Sequence, residues 1–271
     1  MRDAAFELLR PAGREVPLLV SVPHCGREMP PEVFERFREG AVRTLPDNDH
    51  FLDRVYDFVP SIGGTLLTAR YSRYLIDLNR PADGAALYPG RDETGLIPMS
   101  SFGGEPIYLE GQEPDDAERS SRVERYWRPY REALEGELER IRQQFGYALL
   151  WDGHSIRSVV PRFFEGELPA LMLGDVDGTS ADPRLSAAVV EVQQASEYSA
   201  QKNAPFKGGA ITRTYGNPEA GVHALQLEMS QRIYMDEASP FELDAERTAR
   251  LVPHLRECLQ AYVEAAREAL G

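Results

Sequence analysis

Short apolar runs bounded by turn residues predict the strands of this chain. Each run holds five to eight residues, ends near Gly, Pro, Asn or Asp, and contains few charges. Runs of this length and setting are typical of strands that are buried in a sheet. We therefore predict five strands, at residues 17–22, 65–69, 73–78, 147–151 and 222–229.

Apolar residues at helical spacing predict three helices. From Val123 to Phe145 they recur every three or four positions, which gives one apolar stripe. Pro129 marks a kink in this helix or its true start. The same spacing predicts helices over residues 184–201 and 245–270.

Strands that alternate with helices predict an α/β fold. Residues 82–118 interrupt this pattern with a stretch rich in Gly, Pro, Asp and Glu, where we expect at most short strands. Stretches of this kind are usually functional or mobile. Because the chain shows no internal repeat and no linker, we predict one domain over residues 1–271.

Composition limits the partners and the compartment. The 271 residues include 30 Lys and Arg but 44 Asp and Glu, for a net charge of −14. This balance argues against nucleic acid and against anionic membrane surfaces. Cys25 and Cys258 form no CxxC pair, and neither a signal peptide nor an apolar run long enough to span a bilayer is present. We expect a cytoplasmic protein with reduced cysteines.

Two histidines occur at the carboxyl ends of predicted strands. His24 follows the first strand after Pro23, and His154 follows the strand at residues 147–151. Ligand sites of α/β sheets form at these ends, and imidazole is the commonest metal ligand. A hydrogen-bonded histidine in a turn explains either residue alone, but two together favour a metal site. Asp152 is a candidate to orient His154.

A carboxylate from the stretch Asp47-Asn48-Asp49 is the candidate third ligand. Two imidazoles and one carboxylate leave a fourth position open, as catalytic zinc requires. Asp49 is the favoured ligand and Asp47 its main rival. Asp47 or Asn48 is also a candidate N-cap for a helix over residues 51–56.

Glu228 is the candidate general base. Strand alternation places Gln226 and Glu228 on one face of the strand at residues 222–229, and His223 on the other. Burial in such an apolar run raises the pKa of a carboxyl group, and its cost requires a functional role or a charged partner. The alternative is a salt bridge at the strand end.

A third constellation, Arg73, Asp77, Asn79 and Arg80, is suited to a small anion. Arginine binds carboxylates with two parallel hydrogen bonds, and Asn donates beside it. An acidic protein needs such a local cluster to hold an anionic substrate. The alternative is that Arg80 forms a salt bridge with Asp77 or Asp83 and binds no ligand.

Taken together, these motifs resemble the N-formylglutamate amidohydrolase family. The resemblance runs from about residue 17 to residue 235, and the joint order of the motifs is specific although each alone is weak. The motifs are SVPHCG at residues 21–26, DND at 47–49, RYLIDLNR at 73–80, DGHS at 152–155, NAPFKGG at 203–209 and QLE at 226–228.

The resemblance implies a metal-dependent hydrolase that releases formate from N-formyl-L-glutamate, a step of histidine degradation. It implies a three-layer α/β/α sandwich with a central mixed sheet, as in zinc carboxypeptidases and aspartoacylase. Those carboxypeptidases carry a Glu three residues after the first His, whereas this chain has Arg27 there. The third ligand therefore comes from Asp49 or Asp47, with Glu28 a lesser candidate.

The resulting hypothesis assigns each candidate a role. His24, Asp49 and His154 hold one zinc ion, Glu228 is the general base, and Arg73, Asn79 and Arg80 bind the carboxylate of a small anionic N-acyl amino acid. The rivals are a zinc amidohydrolase for another N-acyl amino acid and a non-catalytic protein that binds an acidic amino acid. His50 is expected at the surface, and Arg157 is a weaker candidate for substrate contact. Oligomeric state is not encoded in these motifs.

Overall fold

The structure, a computed structural model, describes residues 4–85 and 93–271. Its strands are β1 (Phe6–Leu9), β2 (Leu18–Val22), β3 (Thr65–Ala69), β4 (Ala148–Ile156), β5 (Leu171–Gly174), β6 (Ala200–Lys202) and β7 (Val222–Ser230). They form one seven-stranded sheet in the order β1-β3-β2-β4-β7-β5-β6. β3, β2, β4 and β7 are mutually parallel, whereas β1 and β5 run antiparallel to their neighbours β3 and β7. The sheet is therefore mixed.

Helices of very different length connect and cover the strands. They are α1 (Pro31–Phe34), α2 (Leu52–Val55), α3 (Asp116–Arg122), α4 (Arg128–Phe145), α5 (Pro183–Gln194), α6 (Ala210–Tyr215) and α7 (Ala245–Leu270). A π-helical turn (Val123–Trp127) joins α3 to α4. Pro129 lies in the first turn of α4, directly after the π-helical turn, and Gly146 caps the end of α4. Within the described ranges, no helix is both long and apolar enough to cross a membrane.

Two apolar cores, one on each face of the sheet, confirm the predicted three layers. Along β2 the side chains alternate, so that Leu18 and Val20 join one core and Leu19 the other. The first core contains the apolar faces of α2, α5 and α7, and the second contains that of α4. The strands between them are almost fully buried, as parallel strands covered on both sides are.

The predicted strand at residues 73–78 is wrong. The segment folds as consecutive turns, with Leu75 N donating to Ser72 O and Asn79 N donating to the side chain of Asp77. This brings the Arg73 guanidinium to 2.7 Å from the Asp77 carboxylate. In a strand, four residues span about 13 Å, which would keep the two residues apart. The ion pair therefore favours the turns over the strand that the apolar residues suggested.

Other boundaries also differ from the predictions. β1, β5 and β6 were missed because each has four residues or fewer. The helix predicted over residues 184–201 ends at Gln194, which leaves room for β6. Within the predicted excursion at residues 82–118, the described part contains isolated bridges at Ser100 and Tyr108, and residues 86–92 lie outside the described ranges.

Candidate active site

His24 is oriented by Asp77 at the carboxyl end of β2. Its Nε2 lies 2.8 Å from Asp77 Oδ1. Burial works against ionisation of Asp77, yet His24 and Arg73 hold the pKa of this carboxyl well below its usual value. Burial and Arg73 lower the pKa of His24, which favours the neutral imidazole. Because an ionised carboxylate only accepts, Nε2 carries the proton and Nδ1 presents a lone pair.

His154 lies beside His24, with the ring centroids 4.9 Å apart. It belongs to β4 itself, which continues five residues beyond the predicted strand end at Trp151, to Ile156. Its Nδ1 is 3.2 Å from Asp49 Oδ2, and its Nε2 is 3.2 Å from Asp152 Oδ1. Burial alone would lower the pKa of His154, but Asp152 and Asp49 raise it well above its usual value.

Asp49 completes a group of three potential ligands. Its backbone N donates to His24 O, and its Oδ2 accepts from Ser155 N at 3.1 Å. One donor atom from each of His24, Asp49 and His154 lies within 4.8 Å of the others, and all three residues are buried. Glu28, the lesser candidate for the third ligand, is exposed, so it lies outside this buried group.

The donor atoms of this group fit a divalent cation. Among the described residues, His24 Nδ1 and Asp49 Oδ1 are buried without a hydrogen-bond partner. Buried polar atoms without a partner are costly, and a shared cation would satisfy both. Two imidazoles and a carboxylate, with Asp77 behind one imidazole, match the oriented ligand sets of metal sites.

Asp47 has a different task. Its Oδ2 accepts from Tyr74 OH at 2.6 Å and from Phe102 N at 2.7 Å, while Arg157 lies 3.5 Å from Oδ1. It therefore anchors the segment around Phe102, and Arg157 is directed to Asp47. The predicted capping role is wrong for both candidates, because α2 has no side-chain cap and Asn48 binds Gly26 O instead.

His50 is buried, which corrects the expected surface position. Its ring stacks on Phe241 with the centroids 4.5 Å apart, and Nε2 lies 3.0 Å from Leu45 O. The apolar stacking partner lies almost 200 residues further along the chain. The residues next to His50 in the sequence therefore do not indicate that its ring is buried.

Glu228 lies next to the three-ligand group. It is paired in register with His154 across β4 and β7, and it lines the same cavity as His24 and Asp49. Burial is the main reason that the pKa of Glu228 is raised to about 8; His154 opposes the rise and Asp49 adds to it. A carboxyl with a pKa near the working pH can both accept and release a proton.

Asn79 and Arg80 border the same cavity on the side of His154. Asn79 Nδ2 lies 3.0 Å from His154 Nε2, while Asn79 Oδ1 accepts from Ile211 N. A Cβ at Gly209 would lie only 2.3 Å from Asn79 Nδ2, so this close approach requires glycine. Arg80 is held by the backbone oxygen of Thr94 at 2.7 Å.

Arg80 forms no ion pair within the described ranges, so the alternative salt bridge with Asp77 or Asp83 is absent there. Its hydrogen-bond partners are the neutral oxygens of Thr94 and Asn79. Trp127, in the π-helical turn, donates its indole N–H to Arg80 O and fixes the backbone. Arg73 is different, because its charge is balanced by Asp77.

Sequence reasoning missed the apolar and outer parts of the cavity. The cavity has a volume of about 490 Å³. Phe102, Phe163 and Arg162 line the cavity from loops without a periodic pattern, and Ile156 lines it from the end of β4; none of the four had been singled out. Phe206, within the NAPFKGG motif, lines the cavity as well.

We expect Asp77→Asn to weaken metal binding by about 10- to 100-fold, because Asp77 orients His24 and balances Arg73. Competition with a chelator measures the affinity. Asp83→Asn is the matched control, since it removes the same charge at an exposed position. An affinity for Asp77→Asn equal to that of the wild type would contradict the orienting role.

The raised pKa of Glu228 predicts a pH-dependent stability of the metal-free chain. Between pH 4.5, the ordinary value, and about pH 8, the folded chain keeps a proton that the unfolded chain has released. The free energy of unfolding therefore falls as the pH rises through this window. Glu228→Gln removes the free-energy cost of ionising Glu228 in the folded chain, which amounts to a few kcal/mol at about 1.4 kcal/mol per pKa unit.

Urea unfolding of the chelated proteins at pH 5 and pH 9 measures this difference. The stability advantage of Glu228→Gln over the wild type is expected to be larger at pH 9. Glu219→Gln, an exposed substitution of the same kind, serves as the control. An advantage that does not change with pH would show that Glu228 is ionised at no cost.

These features define an α/β protein with a candidate metal centre at the carboxyl edge of its parallel strands. The sequence model of the N-formylglutamate amidohydrolase family matches residues 16–235. The chain belongs to this family, as the motifs predicted.

Individual relatives agree with the family match. N-formylglutamate deformylase of Pseudomonas putida is 45% identical over 249 residues, covering 92% of each chain. That of Pseudomonas aeruginosa is 46% identical over 254 residues, covering 93% of this chain and 95% of the relative. The crystal structure of N-formylglutamate amidohydrolase from Ralstonia eutropha JMP134 superposes with a TM-score of 0.82 at 28% identity, covering 97% of this chain and 98% of that one.

Proposed function

We propose that this chain hydrolyses the formamide C–N bond of N-formyl-L-glutamate, giving formate and L-glutamate. The observation that carries the proposal is the buried group of His24, Asp49 and His154, which shares one cavity with Glu228. The similarity to N-formylglutamate deformylases supports the choice of substrate.

We propose zinc as the metal, held by His24, Asp49 and His154. Two imidazoles and a carboxylate are a common ligand set of catalytic zinc. When bound, zinc supplies a Lewis acid that acidifies water and polarises a carbonyl. Metal binding requires neutral imidazoles, so His154 would have to give up the proton that Asp152 and Asp49 favour on it.

Glu228 moves the proton in this proposal. It accepts a proton from the water whose oxygen bonds to the formyl carbon, and it delivers that proton to the nitrogen as the C–N bond breaks. Its raised pKa suits both steps. The positive charge of Arg73 lowers the pKa of Glu228 and so opposes part of the effect of burial. The negative charge of Asp49 in turn raises the pKa of Arg73.

Arg73, Asn79 and Arg80 bind the substrate carboxylate nearest the scissile bond. Asn79 contacts His154, so a group held by Asn79 and Arg80 lies beside the three-ligand group. Among the described residues Arg80 forms no ion pair, and its hydrogen-bond partners are neutral oxygens. Holding the carboxylate in this way fixes the orientation of the formyl carbon and lowers the entropic part of the activation barrier.

Arg80→Ala is expected to raise KM for N-formyl-L-glutamate by about tenfold or more, with a smaller effect on kcat. Steady-state kinetics with N-formyl-L-glutamate and with a neutral formamide measure the effect. Loss of the carboxylate contact should leave the neutral formamide unaffected. An equal loss on both compounds would contradict carboxylate binding by Arg80.

A formate-release assay over a panel of N-acyl amino acids tests the proposed function. N-formyl-L-glutamate should be hydrolysed, and its N-acetyl counterpart should be a much poorer substrate. Preference for a larger acyl group would favour the related amidohydrolase. Binding of glutamate without turnover of any compound would favour the non-catalytic binding protein.

We further propose that the chain acts as a single domain in the cytoplasm. Cys25 and Cys258 are buried free thiols, which suits a reducing compartment. The net charge of −14 continues to argue against nucleic acid and anionic membrane surfaces as partners.

A further inference from the structure

We propose that Arg162 binds the side-chain carboxylate of the substrate and thereby selects acidic N-formyl amino acids over neutral ones. The inference rests on the proposed function and extends it to a residue outside the motifs of the sequence. N-formyl-L-glutamate carries two carboxylates, so a site that binds the whole molecule needs two anion-binding positions. Arg80 and Asn79 supply the first position, beside His154.

Arg162 lies at the other end of an aromatic wall of the cavity. The Arg73 guanidinium lies 4.8 Å from the Phe102 ring centroid, and the Phe102 and Phe163 centroids are 4.9 Å apart. The Arg162 guanidinium is in turn 5.6 Å from the Phe163 centroid. Arg162 thus contacts Phe163 and Arg73 contacts Phe102, whereas Asn79 touches His154 directly.

A second arginine on the same cavity, beside the aromatic wall, suits the outer of the two carboxylates in the substrate. The α-carboxylate is attached to the carbon that carries the amide nitrogen, so it stays close to the scissile bond. The side-chain carboxylate lies two methylene groups further out. When the formyl group is at the three-ligand group, the α-carboxylate reaches Arg80, and only the side-chain carboxylate reaches the outer end of the wall.

The aromatic wall suits the methylene groups between the carboxylates. Phe102 and Ile156 are buried in an apolar cluster, and Phe163 and Phe206 pack against it; all four line the cavity. Apolar side chains with a few placed polar groups are the usual composition of a small-molecule site. The wall thus contacts the apolar part of the substrate while the arginines contact its charged ends.

The loop contacts of Arg162 fix its guanidinium in place. Its Nη1 donates to Ser101 O at 2.9 Å and lies 3.2 Å from Ser100 Oγ. Asp47 holds the same loop through Phe102 N. A guanidinium whose plane is fixed loses little entropy on binding a carboxylate, and the planar group binds carboxylates through two parallel hydrogen bonds.

Paired substrates test the inference without altering the fold. The wild type should prefer N-formyl-L-glutamate to the isosteric, neutral N-formyl-L-glutamine by a factor on the order of 100 in kcat/KM. In Arg162→Met, kcat/KM for N-formyl-L-glutamate should fall roughly 30- to 100-fold, while that for N-formyl-L-glutamine stays nearly unchanged. The preference should therefore almost disappear, and Arg162→Lys should retain part of it.

Arg27→Met is the matched control, because it removes one charge from an exposed arginine that is not among the cavity-lining residues. It should keep the full preference. Equal losses on both substrates in Arg162→Met, or a preference that persists in it, would overturn the role of Arg162 and leave the proposed function intact. A wild type that releases formate from neither substrate would overturn the proposed function itself.

Discussion

Glu228→Gln should lower kcat by about a thousandfold, within the usual contribution of a positioned general base. Glutamine keeps the shape of the side chain but cannot accept a proton from water at neutral pH. The metal content should remain that of the wild type, because Glu228 is not part of the group formed by His24, Asp49 and His154. Formate-release kinetics and elemental analysis of the same sample measure both quantities.

Glu228→Asp separates the proton acceptor from its position. Aspartate keeps a carboxyl group but places it one methylene group further from the substrate than glutamate does. The expected activity therefore lies between that of Glu228→Gln and that of the wild type. Full activity in Glu228→Gln would refute the role as base. Loss of metal in that variant would instead assign Glu228 to the ligands.

Asp49→Ala should remove the bound metal and with it nearly all activity. The carboxylate is the one anionic member of the three-ligand group, and without it two neutral imidazoles remain. Ser155 N also loses its acceptor at the same position. Elemental analysis after dialysis is expected to give far less than one ion per chain.

Asp47→Asn is the matched comparison for this experiment. Asp47 lies two residues from Asp49 and was its main rival as third ligand, but its Oδ2 accepts hydrogen bonds from Tyr74 OH and Phe102 N. This variant should retain the metal and lose stability through the loop around Phe102. If Asp47→Asn lost the metal and Asp49→Ala kept it, the two assignments would have to be exchanged.

The sequence was sufficient for the layers of the fold but not for its short elements. The apolar runs that became β2, β3, β4 and β7 are long enough to be recognised, and the stripe on α4 follows the helical period. The segment at residues 73–78 has a similar apolar character, yet it folds as turns. The turns bring Arg73 and Asp77 into an ion pair, and a pattern of hydrophobicity carries no information about such a contact.

The chemical residues of the site were easier to predict than its walls. His24, His154 and Glu228 come from the carboxyl ends of the parallel strands β2, β4 and β7, so topology brings them together, and Asp49 N donates to His24 O. Arg162 and its aromatic neighbours lie on loops whose course depends on distant contacts, such as Asp47 with Phe102 N. No local pattern marks such residues.

The metal content of the purified wild type tests the central claim most directly. Elemental analysis should find about one divalent ion per chain, as the three-ligand group can hold. Removing the ion with a chelator should abolish formate release from N-formyl-L-glutamate, and one equivalent of zinc should restore it. A metal-free chain that still releases formate at the full rate would contradict the account.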